Sequence, residues 1–232
     1  MTDWKAFYQQ HGKHAITLPS SPEEWQVELA ALLMDFRPKR CLEAGSGYGM
    51  TSLLLDNDVS KTLLDLETVP LRTASGLFEQ KRERGCCAVA DILNMPFPDN
   101  SFDIVFNSGV LEHFDFPMRR MALREMLRVA GCGGRVVAAI PNHFSRPYRY
   151  SYVYRKQHGQ WPYPDEYMLY DFFQELGPLP NVGQQTRMTL AKETAYHFLR
   201  RHQRILFKII GKIRRFEGYL AVIIIEKNAT SA

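Results

Sequence analysis

The sequence predicts an α/β fold: a doubly wound, mostly parallel sheet of seven strands with helices on both faces. Three observations carry this. Short apolar runs alternate with helical patterns through the first two thirds of the chain. A glycine-rich turn, "GSGYG", follows the first run directly. The 232 residues, 45% hydrophobic and 23% charged, are enough for one sizeable core of ordinary globular composition.

The elements follow in order. The opening residues, with Trp4, Phe7 and Tyr8, predict a short helix. In "SSPEEWQVELAALLMDF", Ser20 or Ser21 can cap, Pro22 suits the first helical position, and Glu23 and Glu24 suit the positive end. Trp25, Leu29, Leu32, Leu33 and Phe36 recur at helical spacing. "KRCLEAG" is the first strand, and "MTSLLLDN" predicts a helix starting near Gly49. "KTLLDLE" is a second strand and "VPLRTASGLFEQKRER" a second crossover helix. "GCCAVAD" and "SFDIVFN" are strands, "PMRRMALREMLRVAG" an amphipathic helix, and "GGRVVAAIPN" a fifth strand. Beyond Asn142 the rhythm changes. The segment 143–173 holds seven tyrosines, three prolines and a tryptophan, and predicts an insertion that is neither simple strand nor helix, ending in a helix over 165–176. "GQQTRMTLA" is a sixth strand, and "GYLAVIIIEK" a last one, apolar enough to be central. The expected organisation is a helical segment over 1–38, a ligand-binding core over 39–142, an aromatic lid over 143–180, and C-terminal strands with a basic helix over 181–232.

Composition narrows the function. Cys41, Cys86, Cys87 and Cys132 form no C-x-x-C pair and have no histidine cluster beside them, which argues against a metal site and against a disulfide framework. The N-terminus is polar, and no apolar run approaches the roughly 20 residues of a membrane helix. A cytoplasmic protein, monomer or homodimer, is expected. Net charge is +4, concentrated between Arg200 and Arg215, where seven Lys and Arg residues occur with no acid.

The glycine spacing is G-x-G-x-G at Gly45, Gly47 and Gly49, with Glu43 just upstream. A carboxylate there is poorly placed beside a phosphate and well placed beside a cation. No Gly-Lys-Ser/Thr follows, so a phosphate loop is excluded. S-adenosylmethionine carries an amino group and a sulfonium, and no phosphate. Asp65 ends the second strand, where an ionised carboxylate accepts from vicinal ribose hydroxyls. Asp91 ends the third, where it can accept from an adenine amine while backbone at Ile92 meets the ring edge. Strand-end capping is the plainer role for either acid alone.

"LEAGSGYG", "ADILNMPFPDNSFDIVFNSGVLEHF" and "LREMLRVAGCGGRVVAAIPN" resemble the class I S-adenosylmethionine-dependent methyltransferases. Within that class they are similar to the branch that includes quinone-biosynthesis and other small-molecule enzymes. The resemblance spans about Arg40 to Asn142. It implies a Rossmann-like methyltransferase fold with an antiparallel last strand. It also implies that Glu43 and the Gly45–Gly49 loop hold the methionine part. Asp65 with Leu66 would take the ribose, Asp91 and Ile92 the adenine, and Asn107 would present backbone to the amino group. "DLETVP" departs from the commoner acid-apolar-Ser-Pro, which makes Glu67 a rival ribose acceptor. The fourth strand ends "NSGV" and not Asn-Pro-Pro-aromatic, which argues against amide or adenine methylation.

Methyl transfer is an in-line displacement, and alignment of the reactants contributes roughly 7–11 kcal/mol. A hydroxyl acceptor also needs a base. His113, just past the fourth strand, is the candidate, with loop support as its plainer role; Glu112 reads as a solvated or loop-ordering carboxylate. His143, Tyr148, Tyr152 and Trp161 are candidate acceptor contacts. With Arg146, Arg149, Arg155 and Lys156 interleaved, they suit an anionic, aromatic or sugar-like small molecule, unless the segment is only a packed lid or a dimer contact. O-methylation is favoured. The alternatives are a non-catalytic S-adenosylmethionine-binding module and a methyltransferase acting on RNA or protein. The basic helix over 198–216 carries an apolar stripe that most simply packs on the domain. Peripheral contact with an anionic membrane is the alternative, and nucleic acid is the least favoured partner.

Overall fold

In the computed structural model, which describes residues 4–11, 22–168 and 182–228, the strands are β1 (Arg40–Ala44), β2 (Ser60–Asp65), β3 (Gly85–Val89), β4 (Phe102–Ser108), β5 (Ala130–Pro141), β6 (Val182–Leu190) and β7 (Leu220–Lys227). They form one sheet in the order β3-β2-β1-β4-β5-β7-β6. Strands β1 to β5 are mutually parallel, and β7 runs antiparallel to both β5 and β6. The order reverses between β1 and β4. In such sheets the carboxyl ends of the strands at the reversal open a crevice, and ligands bind there.

The helices are α1 (Trp4–His11), α2 (Glu24–Asp35), α3 (Thr68–Lys81), α4 (Phe116–Val129), α5 (Arg146–Gln157), α6 (Thr194–His197) and α7 (Arg201–Ile213). Helix α2 is capped by Glu23 and not by a serine: a reciprocal capping box joins Glu23 and Gln26. Its Leu29, Ala30 and Leu33 pack with Ile104, Phe106 and Val137 on one sheet face. Helix α4 is capped by Asp115, whose Oδ1 accepts from the Met118 N–H at 3.0 Å. Its Ala122, Leu123 and Met126 share the other face with Leu42, Val105 and Val136. The all-apolar run 220–225 is buried because β7 lies between two strands.

Three expectations are corrected. The stretch after Gly49 forms only a 3-10 turn at Ser52–Leu54. Strand β2 already begins at Ser60, so no full helix fits. The tyrosine-rich segment does form a regular helix, α5. Pro147 sits in its first turn, and Tyr148, Ser151 and Tyr152, three and four residues apart, make its buried face. The helix expected over 165–176 is absent from Asp165–Met168, which are irregular; its remainder lies outside the described residues.

Candidate active site

A cavity of about 880 Å³ opens over the carboxyl ends of β1, β2 and β4. One end is built by the glycine loop. Gly45, Gly47 and Gly49 all have positive φ (74°, 52° and 65°), a region that disfavours a side chain. A Cβ at Gly45 would lie 2.6 Å from Val110 Cγ2, and one at Gly49 2.7 Å from Leu63 Cδ1. The first glycine therefore keeps the cavity open, whereas the third lets the loop pack on β2. The loop is pinned by the N–H groups of Gly45 and Ser46, which both donate to the Leu64 carbonyl at 2.7 and 2.9 Å.

The acids stand at the strand tips. Glu43 is buried on the wall, where its Oε2 accepts from the Ser52 hydroxyl at 2.6 Å. Burial pushes its carboxyl up to about 7, against the opposing pull of the Ser52 hydrogen bonds. Asp65 accepts from the Gly47 N–H at 2.7 Å and the Glu67 N–H at 3.0 Å. Burial raises its pKa, with those backbone donors pulling back. Asp65 and Leu66 line the cavity and Glu67 does not. Asp91 and Ile92 line it too, and Asp91 Oδ1 accepts from the Leu93 N–H at 2.9 Å.

The other end is walled by aromatic rings. Trp4 and Phe7 of α1 face Trp161, Tyr163 and Tyr167 from the loop after α5. Trp4 stands edge-on to the His113 ring at 5.0 Å, and Phe7 lies 5.9 Å from Tyr163. His113 Nδ1 is 3.0 Å from the Asp165 carbonyl oxygen. A carbonyl only accepts, so Nδ1 carries the proton and Nε2, 3.8 Å from Glu112 Oε1, keeps its lone pair. Burial lowers the His113 pKa, so its neutral form prevails near pH 7.

Two carboxylates share this end. Glu112 is 2% exposed, and its Oε2 has no hydrogen-bond partner among the described residues. Burial, with Glu166 adding, raises its pKa well above the ordinary value. The expected solvated role for Glu112 is thus replaced by a buried one. Glu166 also lines the cavity. Tyr148 donates its hydroxyl to Glu166 Oε2 at 2.8 Å, and His143 Nε2 lies 3.0 Å from the same oxygen.

Several candidates therefore sit elsewhere than expected. His143, Tyr148 and Tyr152 are behind the wall and hold Glu166, while Trp161 is on the wall itself. Asn107 is fully buried within β4, and Ser108, Gly109 and Val110 form the wall in its place. Of the interleaved cations only Arg155 reaches the cavity, and its Nη2 donates to the Phe198 carbonyl at 3.3 Å. Glu166 escaped sequence reasoning because its partners lie on another element at no characteristic spacing.

Residues 42–138 match the family model of a methyltransferase domain. The core of this chain is thus similar to a methyltransferase domain. Seventy-four residues are 42% identical to the probable tRNA methyltransferase 9B of Homo sapiens, covering 31% of this chain and 16% of that one. The demethylmenaquinone methyltransferase of Thermotoga maritima is 30% identical over 117 residues, 49% of this chain and 48% of that one. The match thus spans less than half the length of either relative. A solved S-adenosylmethionine-dependent methyltransferase from Thermotoga maritima aligns with a TM-score of 0.62 at 15% identity, covering 97% of this chain and 95% of that one, which shows the fold.

The methyltransferase domain offers what its cofactor requires. The glycine cradle would be filled by a Cβ at Gly45, and Ser46 Oγ is buried on the wall without a partner among the described residues. An unsatisfied buried hydroxyl costs about 1–3 kcal/mol, which a polar ligand can offset. Among the described residues no group of three or more His, Cys, Asp or Glu is placed to hold a metal ion. None of the four cysteines forms a disulfide among the described residues.

Proposed function

We propose that this protein transfers a methyl group from S-adenosylmethionine to a small-molecule amine. The bound cofactor supplies a methyl carbon made electrophilic by its sulfonium. In this reading Glu43, Ser46 and the loop backbone hold the methionine end, Asp65 the ribose, and Asp91 with Ile92 the adenine. The rings of Trp4, Trp161, Tyr163 and Tyr167 seat the acceptor.

Glu112 supports an amine most directly: its Oε2 has no hydrogen-bond partner among the described residues, and its Oε1 lies 3.8 Å from His113 Nε2. It stands with Glu166 in an aromatic-walled space, and such a space favours a cation through both charge and ring faces. A protonated amine favours the ionised form of Glu112, which burial otherwise disfavours. Passing one proton to His113 Nε2 then exposes the nitrogen lone pair. An oxygen acceptor, the preference read from sequence, is the second reading: His113 serves it equally well, but a neutral hydroxyl brings no charge to Glu112. The small-molecule class is also in keeping with the demethylmenaquinone relative.

Calorimetry on protein saturated with S-adenosylhomocysteine separates these readings. Phenethylamine is expected to bind at least ~10-fold more tightly than phenethyl alcohol, and phenylacetate not at all. The reverse order overturns the amine acceptor and leaves the methyltransferase intact. Binding of tRNA that weakens steeply with salt would move the acceptor to nucleic acid. Failure of S-adenosylhomocysteine itself to bind would remove the whole proposal.

Cofactor binding is further expected to release a proton. Glu43 titrates near 7 in the empty folded chain, against about 4.5 when unfolded. The stability it contributes is full below about 4.5 and is lost as pH rises through about 7. An ammonium group against the carboxylate favours its ionised form, so near pH 6 binding should eject close to one proton. Titrations in buffers of different ionisation enthalpy measure this. Release should vanish above about pH 8 and in Glu43→Gln; equal release in that variant assigns the proton elsewhere.

A further inference from the structure

Helix α7 buries none of its residues and touches the domain along one side only. Phe207 lies 5.5 Å from the Tyr150 ring and 5.9 Å from Phe216. A Cβ at Gly211 would come 2.9 Å from the Tyr196 hydroxyl, so glycine permits this close approach. Arg204 Nε donates to the Tyr196 carbonyl at 3.2 Å. At about 100° per residue, Ile205, Leu206, Ile209 and Ile213 fall on the side opposite Phe207 and Gly211. They are 56%, 56%, 55% and 89% exposed. The apolar stripe therefore faces outward, which corrects the expectation that it packs on the domain. His202, also exposed, shares that side.

Scattered apolar residues on a surface are ordinary; a continuous stripe on one helix is not. Arg201 and Lys212 border the stripe, and Arg214 and Arg215 follow the helix. No acid occurs from Arg200 to Arg215. A second copy of the same helix would bring like charges together, and a nucleic acid would leave the isoleucines in water. An anionic lipid surface answers both features.

We propose that α7 lies in the plane of an anionic membrane surface. Ile205, Leu206, Ile209 and Ile213 sit in the headgroup–acyl boundary, and Arg201, Lys212, Arg214 and Arg215 among the lipid phosphates. The contact is peripheral, since no helix among the described residues is long and apolar enough to cross a membrane. His197 and Phe198, directly before α7, line the cavity. The docked helix thus adjoins the site in the chain.

Co-sedimentation of the full chain with vesicles tests this. Phosphatidylcholine vesicles with roughly one third phosphatidylserine are expected to pellet the protein, and binding should fall at least ~10-fold on pure phosphatidylcholine or in high salt. The double substitution Ile209→Glu and Ile213→Glu should abolish pelleting without changing the melting temperature, because neither side chain is buried. Arg201→Gln with Lys212→Gln should weaken binding to anionic vesicles only. The proposal is overturned by no pelleting with anionic vesicles, or by pelleting that the double glutamate variant retains. It is also overturned by a concentration-dependent dimer that this variant dissociates while vesicles remain unbound.

Discussion

Replacing Asp65 by alanine is expected to weaken S-adenosylhomocysteine binding about 10²–10³-fold. Two interactions are lost. The carboxylate accepts the Gly47 N–H at 2.7 Å and so fixes the middle of the glycine loop from the tip of the neighbouring strand. In the proposed complex it also receives ribose hydroxyls, and hydrogen bonds to a charged group contribute about 1.5–3 kcal/mol each. Two such bonds near the lower end of that range, about 3–4 kcal/mol together, account for the predicted loss. Asp65→Asn keeps the shape and one acceptor oxygen, so its loss should be smaller. Glu67→Ala is the internal control, because Glu67 does not line the cavity. Calorimetry on the three variants gives the ranking; a larger loss at Glu67 than at Asp65 would reassign the ribose contact.

The second large effect is expected at His113. Once an acceptor is in hand, His113→Ala should lower kcat about 10²–10⁴-fold with little change in cofactor affinity. Its Nδ1–H is tied to the Asp165 carbonyl, which presents Nε2 as the acceptor of a proton. A general base must be deprotonated to act, so activity should rise with pH. Burial lowers the His113 pKa, so the midpoint of that rise should lie below the ordinary value of 6.5. The alanine variant should lose this acid limb. Glu112→Gln should behave differently, raising KM for an amine more than it lowers kcat, because it removes the group that ionises against the bound acceptor. A pH profile unchanged in the His113 variant would make that residue a support for the loop and move the base elsewhere.

The parts of the site that were legible in sequence are those set by short-range spacing. The strand tips carrying Glu43, Asp65 and Asp91 follow from apolar runs that end in an acid. The glycine loop follows from a conformational demand that few residues other than glycine meet. His113 reached the cavity because it lies directly past β4, at the point where the strand order reverses. What stayed hidden depends on contacts between distant elements. Glu166 is held at the cavity by Tyr148 and Tyr152 of α5 and by His143 just after β5, and no sequence interval announces that. Asn107 was expected to offer backbone, and the residues that line the wall at the end of β4 are the three that follow it, Ser108, Gly109 and Val110. Helix α5 was obscured by residues of modest helix propensity, yet the spacing of its buried tyrosines outweighs them. The stripe on α7 was visible as a pattern, but periodicity states only that a face is apolar, not what lies against it.

The account rests on a binding site for a cationic, phosphate-free nucleoside, formed by acids at successive strand tips. Calorimetric titration of the unmodified protein with S-adenosylmethionine and, separately, with NADH tests this most directly. S-adenosylmethionine should bind at one site per chain, and NADH should give no heat beyond dilution. Tight binding of NADH with none of S-adenosylmethionine would contradict the account at its foundation.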